Sequence, residues 1–350
     1  MIDLYKMDYR VICISPEGEQ LDLTPVCTDL GWEEGAKELA IRISFKIYNG
    51  KYNNKYFSES VQPGTPVYIY AIINDSAQEV ARGFVEKWTP SFTNSQTVLD
   101  IEAYDEMHVL RHNQDNKFYN DDTGTKAIIT DILDTWNVPY DYQGPDVKHA
   151  KTVFRKKYLC DMIATILDEA KKKGAGFYFA RAKEGIIQII PRGTNEDVYH
   201  FDELDNAVKA TESFDSSNMI TRIIIVGKED KDGKQKIEAI VDGKTEFGIR
   251  QTIINVPKDK SLDDATKTAN EILKEKGALA RKTNLEAPDL PFLRKGDRIH
   301  VSAGTVQGYF FVKSVRHNAD DRKMTMEIDE DKEMNESIDT NSMDEGSDIL

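Results

Sequence analysis

His108 and His112, in the segment HVLRH, stand four residues apart. That spacing puts both imidazoles on one face of a helix, where a pair can ligate zinc. The glutamate that follows the first histidine in the H-E-x-x-H metalloprotease pattern is missing, since Val109 occupies its place. No metal is assigned. Glu229-Asp230-Lys231-Asp232-Gly233 has the flavour of a calcium loop, but Lys228 would fall at the first ligand position and Ala239 at the twelfth, where carboxylates are required. It reads as a hairpin turn. Cys13, Cys27 and Cys160 are odd in number, far apart and outside any cysteine-hydrolase motif with a later histidine. They read as buried thiols of a reducing compartment. The sequence holds no G-x-S-x-G elbow, no P-loop and no G-x-G-x-x-G turn. Among 61 acids no two can be assigned to a cleft from sequence alone. Lys171-Lys172-Lys173 falls in the last turn of an expected helix, where cations complement the helix dipole. Catalytic residues, cofactors and metals are all set at none. The remaining candidates are the aromatics Tyr48, Tyr52, Tyr56 and Phe57 in the Asn-rich segment YNGKYNNKYF. They either anchor a partner or fold over the mouth of a β-module.

The elements that would carry these residues change character along the chain. At 350 residues, two or three domains are expected. Alternating apolar residues predict strands over Tyr9–Ile14, Leu39–Ile47, Val67–Ile73, Val80–Trp88 and Thr97–Ala103, with turn residues between them. Helical spacing follows over Thr125–Trp136, with Thr123 as its cap, and over Tyr158–Lys173, ended by Gly174. GFYFAR and GIIQII then read as two strands. After Asn218, ITRIIIV reads as a central strand, Asp232-Gly233 and Asp242-Gly243 as hairpin turns, and Leu262–Leu279 as a helix capped by Ser261 and Asp264. Strands close the pattern at Asp297–Ser302, Tyr309–Arg316 and Met324–Asp329. The fold class is therefore α+β, mainly β. Two similar small β-barrel modules, 1–110 and 206–330, the second with one inserted helix, flank an α+β domain at 111–205, and a disordered acidic tail fills 331–350.

The two β-rich parts resemble each other. FVEKWTPSFTNSQTVLDIE from Phe84 aligns without a gap onto FVKSVRHNADDRKMTMEID from Phe311, so Phe84, Val85 and Ile101 recur as Phe311, Val312 and Ile328. These six form the expected repeat core. Apolar and acidic positions keep their parity across the pair. The alternative is that any two amphipathic hairpins align passably. The net charge of −15 opposes binding to nucleic acid or to an anionic membrane surface. The N-terminal segment MIDLYKMDYR lacks the layout of a secretory signal, and no apolar run approaches a membrane span.

LRKGDRIHV followed by GYFFVKSVRHNADDRKMTMEIDE resembles the closing hairpin of the phage tail hub family: the late-control proteins of contractile-tailed phages and, more closely, the XkdQ/YqbQ hubs of defective prophages. The matching features are Gly296-Asp297 before a strand, Phe311-Val312, and the Val315-Arg316-His317 corner. The order of modules over about 1–330 also agrees; the acidic tail lies outside the resemblance. The resemblance implies a structural protein without catalysis, made in the bacterial cytoplasm and built into a tail baseplate. Three subunits with two modules each would form a ring between a sixfold tube and a threefold spike. Tail tube protein, central spike and other baseplate proteins would be its partners, with no nucleic acid and no membrane. The competing readings are a tail-associated peptidoglycan hydrolase with its site in 111–205, and a binding module of a secretion machine.

Overall fold

Ile41, Ile43, Phe45 and Ile47 alternate with polar residues in the strand Ile41–Tyr48, and all four face a common core. Such period-two burial recurs through the first 104 residues and sets the register of a continuous sheet. The computed structural model describes residues 7–36, 38–93, 96–229, 231–246, 248–256 and 261–335. Two compact units divide the chain: 1–210 with 284–350, and 211–283. The stretch 206–330, expected as one module, is thus shared between them.

In the first unit, hydrogen-bonded neighbours run in the order Lys323–Glu330, Val306–Asn318, Cys27–Glu34, Ile41–Tyr48, Gln96–Tyr104, Ser76–Thr93, Pro66–Ile73, Asp8–Ile14, Gln20–Asp22. The expected pair of closed barrels does not form among the described residues. The reason lies in Cys27–Glu34, a strand whose acidic, glycine-containing sequence shows little alternation. Its Gly31–Glu34 end pairs antiparallel with Val315–Asn318, so each module's edge is taken up by the other instead of by its own closure. Mainly-β α+β architecture nevertheless holds. Separate cores lie under the two β-regions, one around Phe45, Ile69 and Leu99, the other around Phe310, Ile299 and Met324. Between them in sequence, helices Thr125–Thr135 and Leu159–Lys172 pack Ile128, Ile132, Ile163 and Ile166 into a third core. The N-cap of the first of these helices is Gly124, not Thr123, which is instead paired with His149. Tyr178–Lys183 and Ile186–Pro191 form the expected hairpin, turned by Glu184 and Gly185 at positive φ.

In the second unit, Arg222–Glu229 is the central strand, flanked antiparallel by Gln235–Asp242 and parallel by Gln251–Asn255. Asp242-Gly243 is therefore not a hairpin turn, because the chain crosses to the far side of the central strand. Helix Leu262–Lys276 covers one face through Ala265 and Ala269, and its Ser261–Asp264 capping box forms as expected.

A buried charge cluster ties the parts of the first unit together. Glu34 accepts two hydrogen bonds from the Arg294 guanidinium, at 2.7 and 3.0 Å, in fork-on-fork geometry. Arg294 also donates to the Ala182 carbonyl at 2.9 Å, and its backbone N–H donates to Asp297, as does Arg181 at 3.1 Å. The Lys295 ammonium donates to the carbonyls of Gly35, Ala36 and Glu38. Burial alone would raise the pKa of Glu34, but the charge and hydrogen bonds of Arg294 outweigh it and the carboxyl titrates below its ordinary value. Asp297 lies on the other side: burial holds it above its ordinary value despite Arg181. Gly296 sits at φ +89°, and a Cβ there would lie 2.0 Å from the Phe179 ring, so the position is closed to any side chain.

A second knot surrounds His317, whose Nε2 donates to the Leu293 carbonyl and whose Nδ1 lies 2.6 Å from Asp289. Its ring stacks on Trp32 at 4.7 Å, and Tyr9 donates to the other oxygen of Asp289. The motif residues behind the family resemblance therefore work as internal structure.

The acidic tail begins in the fold. Asp331 is 4% exposed and accepts from Arg298 at 2.9 Å, while Asn335 bonds both the N–H and the carbonyl of Tyr309. The expected disorder is corrected for 331–335; residues 336–350 lie outside the described residues.

Two outcomes follow for urea unfolding. Arg294→Met should cost about 3–5 kcal/mol, because it strands the Glu34 charge, and adding Glu34→Leu should recover part of that loss in a double-mutant cycle. A chain ending at Glu330 should be less stable than one ending at Asn335 by about 1–3 kcal/mol.

Candidate functional site

The aromatic segment is built on a tight hairpin. Lys51–Tyr52 pairs with Lys55–Tyr56 across Asn53 and Asn54, both at positive φ. Two polar contacts hold its tip to the loop near residue 18: Lys55 to Glu17 at 3.1 Å and Asn53 to Glu19 at 3.0 Å. Phe57 points inward, 8% exposed, and joins the first core, where it anchors the segment. The Tyr52 ring stacks over it at 6.4 Å, and the Lys51 ammonium lies 4.9 Å from the Tyr56 ring. Tyr48, Tyr52 and Tyr56 remain 44%, 50% and 44% exposed. Two amphipathic rings held outward on a short, braced turn, with Tyr48 beside them at the end of strand Ile41–Tyr48, can bury apolar area against a partner with little loss of rotamer freedom.

The repeat residues fall into two groups. Val85, Ile101, Phe311, Val312 and Ile328 are buried, but Phe84 is 44% exposed and lies outside the core. Both hairpins carry a bulge at the equivalent place, between Val85 and Lys87 and between Val312 and Ser314. The bulge has a packing cause. Val85 and Trp88 are three residues apart, as are Val312 and Val315, and the extra residue returns the second member of each pair to the inward face. Across the ladder, Trp88 pairs with Ile101, whereas Val315 pairs with Met326. The gapless alignment is thus offset by two residues on the return strand, which preserves parity.

The α+β region contains a hydroxyl–imidazole–carboxylate relay that the sequence did not reveal. Thr125 Oγ1 lies 2.8 Å from His149 Nε2, and His149 Nδ1 lies 3.0 Å from Glu169. That order is the one used by nucleophilic hydrolases. Here Thr125 is 0% exposed and His149 2%. The Thr125 hydroxyl is also engaged by the N–H and carbonyl of Val147. The relay pins the start of helix Thr125–Thr135 to the Val147–His149 segment that follows it, and its hydroxyl and imidazole are closed to solvent.

Nearby, Asp105 ends the first β-region. Its Oδ1 accepts from Met107 N–H at 3.1 Å, while its Oδ2 is buried with no partner among the described residues. Burial pushes this carboxyl up to about 8, against the pull of Arg294. His108 and His112 lie on the helix Met107–His112 that Asp105 introduces. The calcium-like segment is a turn, with Glu229 paired to Gln235 and Gly233 at φ +76°; Asp230 lies outside the described residues. Of the three thiols only Cys13 is fully buried; Cys27 and Cys160 are half-buried, so the expectation of burial is corrected for those two. No helix among the described residues is long and apolar enough to cross a membrane.

A protonated Asp105 stabilises the fold fully below the unfolded carboxylate pKa, and this contribution is lost as pH rises through about 8. Asp105→Asn keeps the hydrogen bond to Met107. Its melting temperature should therefore fall less than the wild-type value between pH 5 and pH 8 in thermal scans.

A family model described as YQBQ-like matches residues 30–329. No curated protein matches the chain. Among solved structures, a tail protein from Neisseria meningitidis MC58 is similar at TM-score 0.65 and 12% identity, covering 93% of this chain and 97% of that one. The 43 kDa tail protein of prophage MuSo2 from Shewanella oneidensis is similar at TM-score 0.66 and 13% identity, covering 93% and 99%. The prophage tail protein gp18 from Listeria monocytogenes EGD-e is similar at TM-score 0.55 and 12% identity, covering 96% and 100%. At such identities the likeness is one of fold.

Proposed function

The chain belongs to the YQBQ-like family, and we propose on that footing that it is a structural hub of a phage-like contractile tail baseplate. In this reading it closes into a homotrimeric ring between the sixfold tail tube and the threefold central spike. The observation that carries the reading is the pair of bulged hairpins, Ser76–Thr93 with Gln96–Tyr104 and Val306–Asn318 with Lys323–Glu330. Two equivalent hairpins per chain give six in a trimer, the number a sixfold tube requires. Support also comes from the fold, which tail proteins share over nearly their whole length. The buried clusters fit a part that must hold its shape under load, since they fix one region against another. Tyr48, Tyr52 and Tyr56 are the contact residues of this proposal, offered to a neighbouring tail protein, whether tube, spike or another baseplate component. Assembly into the virion baseplate would follow synthesis in the bacterial cytoplasm.

The role is non-enzymatic. A tail-associated hydrolase would need a substrate-accessible nucleophile, and the one relay of that kind described above is buried. A zymogram on bacterial cell walls should show no lytic band, and a clear band would transfer the function to the hydrolase reading.

Light scattering should give a mass near three times 39.8 kDa at high concentration or with tube protein present. A concentration-independent dimer would overturn the ring. Replacing Tyr52 and Tyr56 by serine should leave the melting temperature within about 1 °C of wild type, as for exposed positions generally, while lowering co-sedimentation with assembled tails.

A further inference from the structure

The bulge at Glu86 turns a carboxylate toward the helix that follows the next strand. Glu86 lies between Val85 and Lys87 on strand Ser76–Thr93, where the register shifts. Helix Met107–His112 begins just after Tyr104, the residue paired with Phe84. His108 Nδ1 is 3.5 Å from Glu86 Oε2, and His112 Nε2 is 3.7 Å from Glu86 Oε1. The two imidazole centroids are 4.0 Å apart, and one ligand atom from each of the three residues lies within 4.8 Å of the others. These separations are long for hydrogen bonds. They are close to the spacing of ligand atoms around zinc, which at bond lengths of about 2.0–2.1 Å sit roughly 3.3 Å apart in a tetrahedron. His108 Nδ1 is itself shielded from solvent and lacks a hydrogen-bond partner among the described residues. A buried ring nitrogen without a partner costs stability unless something fills its lone pair.

We propose that Glu86, His108 and His112 form a site for a divalent zinc-class cation. The donor set of two imidazoles and one carboxylate selects zinc, cobalt or nickel over calcium and magnesium, which take oxygen ligands. Tyr104 supports the site from behind, its ring stacked on His108 at 5.3 Å. Glu86 and His112 are 37% and 52% exposed, so the remaining coordination positions face outward, open to water or to a donor from another chain. The helix also places Met107 and Leu110 in the third core. The cation would therefore staple the first sheet to the α+β region, a structural use of the HVLRH spacing with its carboxylate supplied from another strand.

The test is a Co²⁺ titration of the full chain, followed by visible d–d absorption and by melting temperature. Wild type should give saturable bands with one equivalent per chain, displaced by Zn²⁺, and a melting temperature raised by either ion. His112→Ala, at a half-exposed position, should melt like the metal-free wild type and lose the bands. Glu86→Gln should weaken binding by about tenfold or more. His200→Asn serves as a control for the other close imidazole pair, His200 and His300, and should bind as wild type does. Absence of saturable bands in wild type, or their persistence in His112→Ala, would overturn the proposal.

Discussion

Glu34 and Arg294 are both withdrawn from water, and neither can stay there without the other. An unpaired buried charge costs several kcal/mol, so the fold must bring the end of strand Cys27–Glu34, the Arg294–Asp297 loop and the Ala182 carbonyl to one place. The strand pairing of Gly31–Glu34 with Val315–Asn318 runs into this point. His317 and Asp289 close it from the side, stacked on Trp32. Loss of any one member would leave the others with unsatisfied donors or acceptors, which makes the cluster cooperative.

The arrangement has a consequence for the molecule as a component. Its two β-regions are not beads on a string, because their edges are spent on one another. Among the described residues, Tyr48, Tyr52 and Tyr56 are exposed, the last two on a short braced turn. The relay of Thr125, His149 and Glu169 is used in the same way: its hydroxyl and imidazole are closed in and serve, with the half-exposed Glu169 carboxylate, as fasteners.

Much of this was legible in the residues. LAIRISFKI, ITRIIIV and the two amphipathic helices declared themselves because each buries one face, and a buried face imposes its period on the sequence. The paired hairpins were legible for the same reason, and even their two-residue offset left the parity intact. The LRKGD and Val-Arg-His segments drew notice through a resemblance, although composition gave no hint of what they touch.

Local order, then, was written in the chain: which stretches are strands or helices, which face is apolar, that the middle is α+β and that hairpins recur. The tertiary structure alone decided that the barrels stay open, that Asp331 is docked, that Phe57 turns inward while Phe84 turns outward, and that Glu86 meets His108 and His112. The physical reason is one of range. Period and propensity act between neighbours a few residues apart, whereas the strand Cys27–Glu34 earns its place only through Arg294 and Val315–Asn318, far along the chain. An inward-facing glutamate looks like a surface residue until its partner is folded against it.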